Sequence, residues 1–262
     1  MTTGPNASTL GRLDGRVTLV TGSSRGIGAA IARLFAAHGA AVAVHGRDRT
    51  ALASVRADLE RGGARAIDVV ADVTRFDEVE AMRERVESML GPIDVLVANA
   101  GASLTHPHLP IEEVDEVGWR ASVDANLTAT FFALKSVLPG MKARGRGSII
   151  TMSSAAARRP TAFSPVPYAA AKAGIQLLTQ AAAAQAGPSG VRVNCIAPET
   201  ILTERNDVQI PAAVQTKLVE EHPVRRLGTP DDVAQAALYL ASDAAAWVSG
   251  IVLDVAGGSI LR

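Results

Sequence analysis

Short runs of β-branched and aliphatic residues alternate along this chain with longer segments whose apolar positions recur every three to four residues. The runs at 16–20, 41–45, 64–70, 93–98, 148–152, 191–196 and 251–254 are almost continuously apolar. Strands of that kind are buried on both faces, as in a parallel sheet covered by helices, whereas half-exposed strands alternate. Segments 27–38, 49–62, 76–90, 119–143, 166–186 and 230–242 carry the amphipathic, alanine-rich spacing of helices. Gly39, Gly62 or Gly63, and Gly91 follow three of them, where a helix end favours glycine. Strand–helix alternation from end to end predicts an α/β fold, a single doubly wound domain over 13–262 with a seven-stranded parallel sheet. Residues 1–12 are polar at their start and are expected to fray as a flexible tail. The stretch 199–228 is charged, proline-bearing and irregular, and is where a mobile lid over a site is expected.

Composition narrows the function classes. Of 262 residues, 48% are apolar, ample for one core. The 26 basic and 26 acidic residues cancel, which leaves no electrostatic footprint for nucleic acid or an anionic membrane. No run approaches the ~18 apolar residues of a membrane span, and the start lacks the basic-then-apolar run of a signal peptide. Cys195 stands alone, so neither an intrachain disulfide nor a cysteine metal cluster is expected. His106-Pro107-His108 has no third ligand suitably spaced and reads as a surface loop; no metal is expected. A cytoplasmic protein is the expectation.

Two motifs carry chemistry. Thr21-Gly22-Ser23-Ser24-Arg25-Gly26-Ile27-Gly28 joins the first strand to the first helix. Glycines there allow a sharp turn and let backbone N–H groups approach a pyrophosphate at the positive helix end. The second motif is Tyr168 with Lys172, one helical step apart and so on one face. A phenol ordinarily ionises near pH ~10, and an adjacent ammonium is expected to lower that value. Ser153 and Ser154 lie upstream, where a hydroxyl could hold a substrate oxygen while the tyrosine moves a proton.

With Asn99-Ala100-Gly101 after the fourth strand and Asn126, these motifs resemble the short-chain dehydrogenase/reductase family, over about residues 15–258 and closest to its 3-oxoacyl-carrier-protein reductase branch. The resemblance implies a Rossmann-type domain binding a nicotinamide cofactor at the C-terminal edge of the sheet. Gly22, Ser24, Arg25, Gly26, Ile27 and Gly28 would form the phosphate turn, and Asp72 with Val73 would hold the adenine. Asn99, Ala100 and Gly101 would lie beside the adenine ribose, with Asn99 either touching cofactor or tying strands together. Pro198, Ile201 and Thr203 would meet the nicotinamide end. Tyr168 would be the proton donor or acceptor, Lys172 its activator and a ribose ligand, and Asn126 the support of a water-linked proton path. Ser154 matches the substrate-binding serine although it lies one residue further from the tyrosine than the family pattern; Ser153 is the alternative. Glu199 stands where the family commonly has glycine, either tuning substrate choice or facing solvent.

Cofactor choice is read from charge. An acid ending the second strand would bond a ribose 2′-hydroxyl. Here Gly46 and Arg47 occupy that place, with Arg25 nearby. Two guanidiniums suit a 2′-phosphate, so NADP(H) is preferred over NAD(H); the alternative is that 47–49 is a solvated turn. The function expected is NADP(H)-dependent reduction of a small-molecule carbonyl, or oxidation of its alcohol, with a 3-oxoacyl thioester one candidate. Sugar, steroid or small-ketone substrates are the alternative, and a non-catalytic cofactor sensor is the alternative of another class. Pairing through the helices at 119–143 and 166–186, the family habit, implies a homotetramer.

Overall fold

The computed structural model describes residues 11–102, 109–159 and 165–260. Seven strands form one sheet: β1 (Val17–Val20), β2 (Ala41–Gly46), β3 (Ala66–Val70), β4 (Val95–Ala98), β5 (Gly147–Met152), β6 (Val191–Pro198) and β7 (Val252–Val255). Their order is β3-β2-β1-β4-β5-β6-β7 and every pairing is parallel. Nine α-helices lie among the described residues: α1 (Gly26–Ala37), α2 (Arg49–Arg61), α3 (Phe76–Leu90), α4 (Glu116–Val123), α5 (Ala129–Arg144), α6 (Val166–Ala186), α7 (Glu204–Gln209), α8 (Ala212–Glu221) and α9 (Pro230–Ala241).

The continuous apolar runs follow from burial on both sides. Val42 and Val44 of β2 face one core with Ile31 and Phe35 of α1, Leu52 of α2 and Val233 of α9. Ala41 and Ala43, one residue out of phase, face the other core with Val79 and Met82 of α3 and Leu134 of α5. Period-two side-chain alternation thus serves two layers rather than a core and a solvent face. Cys195 is buried within β6, and burial pushes its thiol upward, away from reactivity.

Strand order reverses between β1 and β4, and crevices at such switch points bind ligands. Two differences from the sequence expectation bear on that edge. The helix expected over 119–143 starts earlier and is interrupted by a π turn, Asp124–Thr128, at whose centre sits Asn126. The irregular stretch 199–228 contains α7 and α8, whose weak apolar periodicity reflects the exposure of most of α8. It leaves and returns at one point, where Ile201 bridges Gly228. The expected tail falls largely on residues 1–10, and His106 and His108 likewise lie outside the described residues. Among the described residues no helix is long and apolar enough to cross a membrane.

Candidate active site

The turn after β1 is built by groups that leave its glycines no freedom. Asn99 Nδ2 donates to the Thr21 and Gly22 carbonyls, both at 3.0 Å, so this side chain ties β4 to the turn. A Cβ on Gly28 would lie 2.3 Å from the Gly22 oxygen, and one on Gly26 3.2 Å from Thr203 Cγ2. Beneath the turn, His45 of β2 accepts the Gly22 N–H at Nδ1 (3.1 Å) and bonds the Ala71 carbonyl through Nε2 (3.0 Å). A carbonyl only accepts, so Nε2 carries the proton and the ring is neutral. Burial holds its pKa below the ordinary value.

The N-terminus of α1 opens above this turn. Arg25, its N-cap, makes no capping bond, and its first turn holds no acid. Its unpaired N–H groups and positive dipole end are therefore available to an anion. These features fit a dinucleotide pyrophosphate. Arg25 itself pairs with Asp48 at 2.6 Å. The expected pair of guanidiniums thus has a carboxylate beside it, although both partners are substantially exposed and solvent weakens such contacts. Arg47 is exposed just past β2, and Gly46 packs beneath Ser24. Asp72 accepts the Thr74 N–H (2.9 Å) and hydroxyl (2.7 Å), which hold its carboxyl below the usual range.

A cleft of about 340 Å³ runs from this turn toward α6. It brings together Gly22, Arg25, Gly26, Ile27, Gly28, Asn99, Gly101, Ser154, Tyr168, Lys172, Pro198, Ile201 and Thr203, which the sequence reading grouped from widely separated parts of the chain. Ser24, Arg47, Asp72, Val73, Ala100 and Asn126 are outside its lining. A larger depression of about 480 Å³ lies at the opposite sheet edge against Gly39, Ala40 and Gly63, and offers no acid–base group beyond two arginines.

The two serines divide their tasks. Ser153 is buried; its hydroxyl donates to the Lys172 carbonyl (2.8 Å) and accepts from Gln176 Nε2 (2.9 Å). Both serines border the cleft, and Ser154 is the one that hydrogen-bonds Tyr168. Its Oγ also accepts the Ala156 N–H at 3.2 Å, which sets its direction. Residues 160–164, the loop before the tyrosine, are outside the described residues.

Tyr168 and Lys172 share a face of α6, with Nζ 5.6 Å from the ring centre. The ammonium donates instead to the Met152 carbonyl, at 2.8 Å. The expected lowering of the phenol is absent: burial pushes the Tyr168 pKa up, and the Ser154 bond offsets only part of this. Burial brings Lys172 down to about 8. Behind them, Asn126 Nδ2 donates to Ala102 O and Ser122 O, both at 2.9 Å, while its Oδ1 is buried without a partner. An unpaired buried acceptor costs about 1–3 kcal/mol and invites a donor from a bound molecule. Gly101 makes the space, since a Cβ there would sit 2.5 Å from Oδ1 and 3.3 Å from Lys172 Nζ. Met152 O and His45 were not singled out from sequence. A main-chain carbonyl leaves no mark there, but a histidine inside an apolar strand does.

Among the described residues no group of three or more His, Cys, Asp or Glu side chains could hold a metal. Thr203 caps α7 by accepting the Asn206 N–H (3.2 Å) near the start of the 199–228 stretch. Glu199 bonds His222 Nε2 at 2.8 Å rather than facing solvent.

A family model described as enoyl-(acyl carrier protein) reductase matches residues 22–259. The cis-4-hydroxycyclohexanecarboxylate dehydrogenase of Sinomonas cyclohexanicum is 41% identical over 250 residues, covering 93% of this chain and 96% of that protein. The 3-oxoacyl-[acyl-carrier-protein] reductase of Chlamydia muridarum is 37% identical, covering 93% and 96%. The crystal structure of a 7α-hydroxysteroid dehydrogenase with NADH and 7-oxo glycochenodeoxycholic acid superposes with a TM-score of 0.92 at 35% identity, covering 98% and 99%. Motifs, cleft and relatives agree over nearly the whole length, and the chain belongs to the short-chain dehydrogenase/reductase family, as an oxidoreductase acting on CH–OH and C=O groups.

Proposed function

We propose that this protein interconverts a small secondary alcohol and its ketone with NADP(H), as a homotetramer. The observation that carries the reading is the convergence of Ser154, Tyr168 and Lys172 on one cleft with the phosphate turn at its other end. When bound, a nicotinamide cofactor supplies or takes up the hydride. Gly22 to Gly28 would hold its pyrophosphate, and Lys172 its ribose.

The chain's own residues handle the proton. Tyr168, kept protonated by burial, gives its proton to the substrate oxygen in reduction and receives it in oxidation. Ser154 donates to the same oxygen and stabilises negative charge as it develops. Lys172, near its own titration point at neutral pH, passes protons between the tyrosine and the pocket at Asn126 Oδ1. The stretch 199–228, hinged at Ile201 and Gly228, serves as the substrate lid.

An alcohol or free ketone is favoured over a carrier-bound thioester by where the basic residues go. Arg144 donates to Ile93 O (2.6 Å) and Arg146 pairs with Asp94 (3.2 Å), at the start of β4 and away from the cleft. Nearer the cleft, Arg158 binds Asp254 and Arg226 binds Asp232. The relative named for cis-4-hydroxycyclohexanecarboxylate, a free ring alcohol without a carrier, supports the same choice.

The test is Tyr168→Phe, assayed with the best substrate of a panel of cyclic ketones, sugars and acetoacetyl thioesters. Turnover should fall about 10²–10⁴-fold while NADPH binding, read by fluorescence, persists. Undiminished turnover would overturn the mechanism. The proposed cofactor choice rests on Arg47, which is exposed just past the end of β2. Arg47→Ala should cost about tenfold or more in kcat/KM with NADPH and little with NADH. Equal use of both cofactors by the wild type would refute the preference.

A further inference from the structure

Glu199 continues from the end of β6, and its carboxylate is held by the Thr200 N–H and by His222 Nε2. His222 ends α8 and is buried, with its Nδ1 against the Leu218 carbonyl at 2.6 Å. A side chain of the sheet is thereby fastened to the return leg of the lid. A cavity lies on each side of this contact. One is the cleft of about 340 Å³ that holds Ser154 and Tyr168. The other, of about 260 Å³, lies between the lid's return leg and the C-terminal end of β7, against Val224, Val255 and Gly257. Glu199 and Ile201 border both.

Two observations bear on what the second cavity can hold. Asp254 is held by both ends of the Arg158 guanidinium, at 3.1 and 2.9 Å, and Arg226 by Asp232. The charged groups on its wall are thus already matched. The backbone at Glu199 does not have positive φ. The chain path therefore neither requires nor forbids glycine at this position, and the Glu199 side chain stands with Ile201 between the two spaces.

We propose that Glu199, held in place by His222, is a specificity-determining residue. It forms the back wall of the substrate cleft and restricts the substrate to alcohols and ketones short enough to end before β7. The inference rests on the alcohol–ketone reading above.

The test compares cyclohexanol with a fused-ring alcohol bearing the same ring carbinol, for wild type, Glu199→Gly and Glu199→Gln. NADPH binding by fluorescence and the melting curve are recorded for each. Glu199→Gly, which opens the wall, should raise the ratio of kcat/KM for the fused-ring alcohol over cyclohexanol by at least about tenfold. Glu199→Gln keeps the volume and can still bond His222, so its ratio should stay near the wild-type value. A Glu199→Gly ratio equal to that of the wild type, with NADPH bound, would overturn the proposal. So would loss of turnover on both alcohols with NADPH bound, because the carboxylate would then act in the reaction itself. Should Glu199→Gly not fold, Glu199→Ala is read by the same two criteria. A wild type inactive on every alcohol and ketone of the panel would overturn the alcohol–ketone reading, and this inference with it.

Discussion

His45 ties the glycine turn to the neighbouring strand without touching the candidate acid–base groups. Its Nδ1 takes the Gly22 N–H and its Nε2–H takes Ala71 O, so one neutral ring fixes the first glycine of the phosphate turn to the end of β3. Protonation would place N–H against N–H at Gly22. Burial opposes this, the Arg47 charge adds to that opposition, and the Ala71 bond and Asp72 pull the other way. His45→Leu, which removes the acceptor, should weaken NADPH binding about tenfold, while His45→Asn, whose Oδ1 falls near the place of Nδ1, should recover most of it. The folded pKa lies below the ordinary 6.5, so the unfolded chain binds this proton first. Stability from His45 is therefore complete above pH 6.5 and is lost as pH falls below it. The wild-type urea midpoint should drop relative to that of His45→Asn between pH 7 and 5; parallel midpoints would refute the neutral-ring assignment. At this scale the sequence told which residue types meet but not which atoms. The pairing of Tyr168 with Lys172 was legible from spacing, whereas Ser154 came from the family resemblance against a spacing one residue too long. That Lys172 would spend its proton on Met152 O, and that burial would raise rather than lower the phenol, depends on depth and direction that one-dimensional spacing does not encode.

Elements were legible in proportion to their periodicity. The helix predicted at 166–186 has those limits in the structure, and all seven strands lie where continuous apolar runs were read. The misreadings fall where another principle competes. Asn126 sits in a π turn that keeps helical spacing nearly intact, so the pattern runs through it unmarked. Helices α7 and α8 escaped because, with little buried surface, they show little amphipathic signal. Their anchoring falls to the base of the proposed lid, where Gly228 returns to Ile201 and α9 begins immediately. There Thr229 and Asp232 form a reciprocal capping box, and Arg226 grips the same carboxylate. The Arg226 bond, then those from Thr229, hold the Asp232 carboxyl well below the usual range. Its contribution is therefore present above about pH 4 and lost on further acidification. Thr229→Ala should cost about 1 kcal/mol in urea unfolding at pH 7. It should also raise the substrate KM more than the cofactor KM if the lid base governs closure. An equal rise in both would place the effect in the fold as a whole.

For the whole molecule, the surface carries two apolar regions that a lone chain leaves wet. On one face of the sheet, α5 and α6 present Phe131 and Leu177, the latter 69% exposed, with Val117 and Trp119 of α4 nearby. At the far edge, beside the open strand β7, Trp247 is fully exposed, with Ile251 and Tyr239 near it in the chain. An edge strand and a bare indole are aggregation liabilities unless something covers them. One self-complementary patch on a dyad gives a dimer; two separate ones, each pairing with its own copy, close into a tetramer of dihedral symmetry with no surface left to propagate. The α6 contact would also brace the helix that carries Tyr168 and Lys172, which couples assembly to activity. Light scattering should therefore give the mass of four chains. Leu177→Glu and Trp247→Glu should each reduce it to two, and the double variant to one, because a carboxylate buried at a dyad meets its own copy. Leu177→Glu should lose the greater part of its turnover and Trp247→Glu much less, since only the first patch backs the catalytic helix. A monomeric wild type would refute the assembly, and equal loss of turnover in the two variants would refute the coupling.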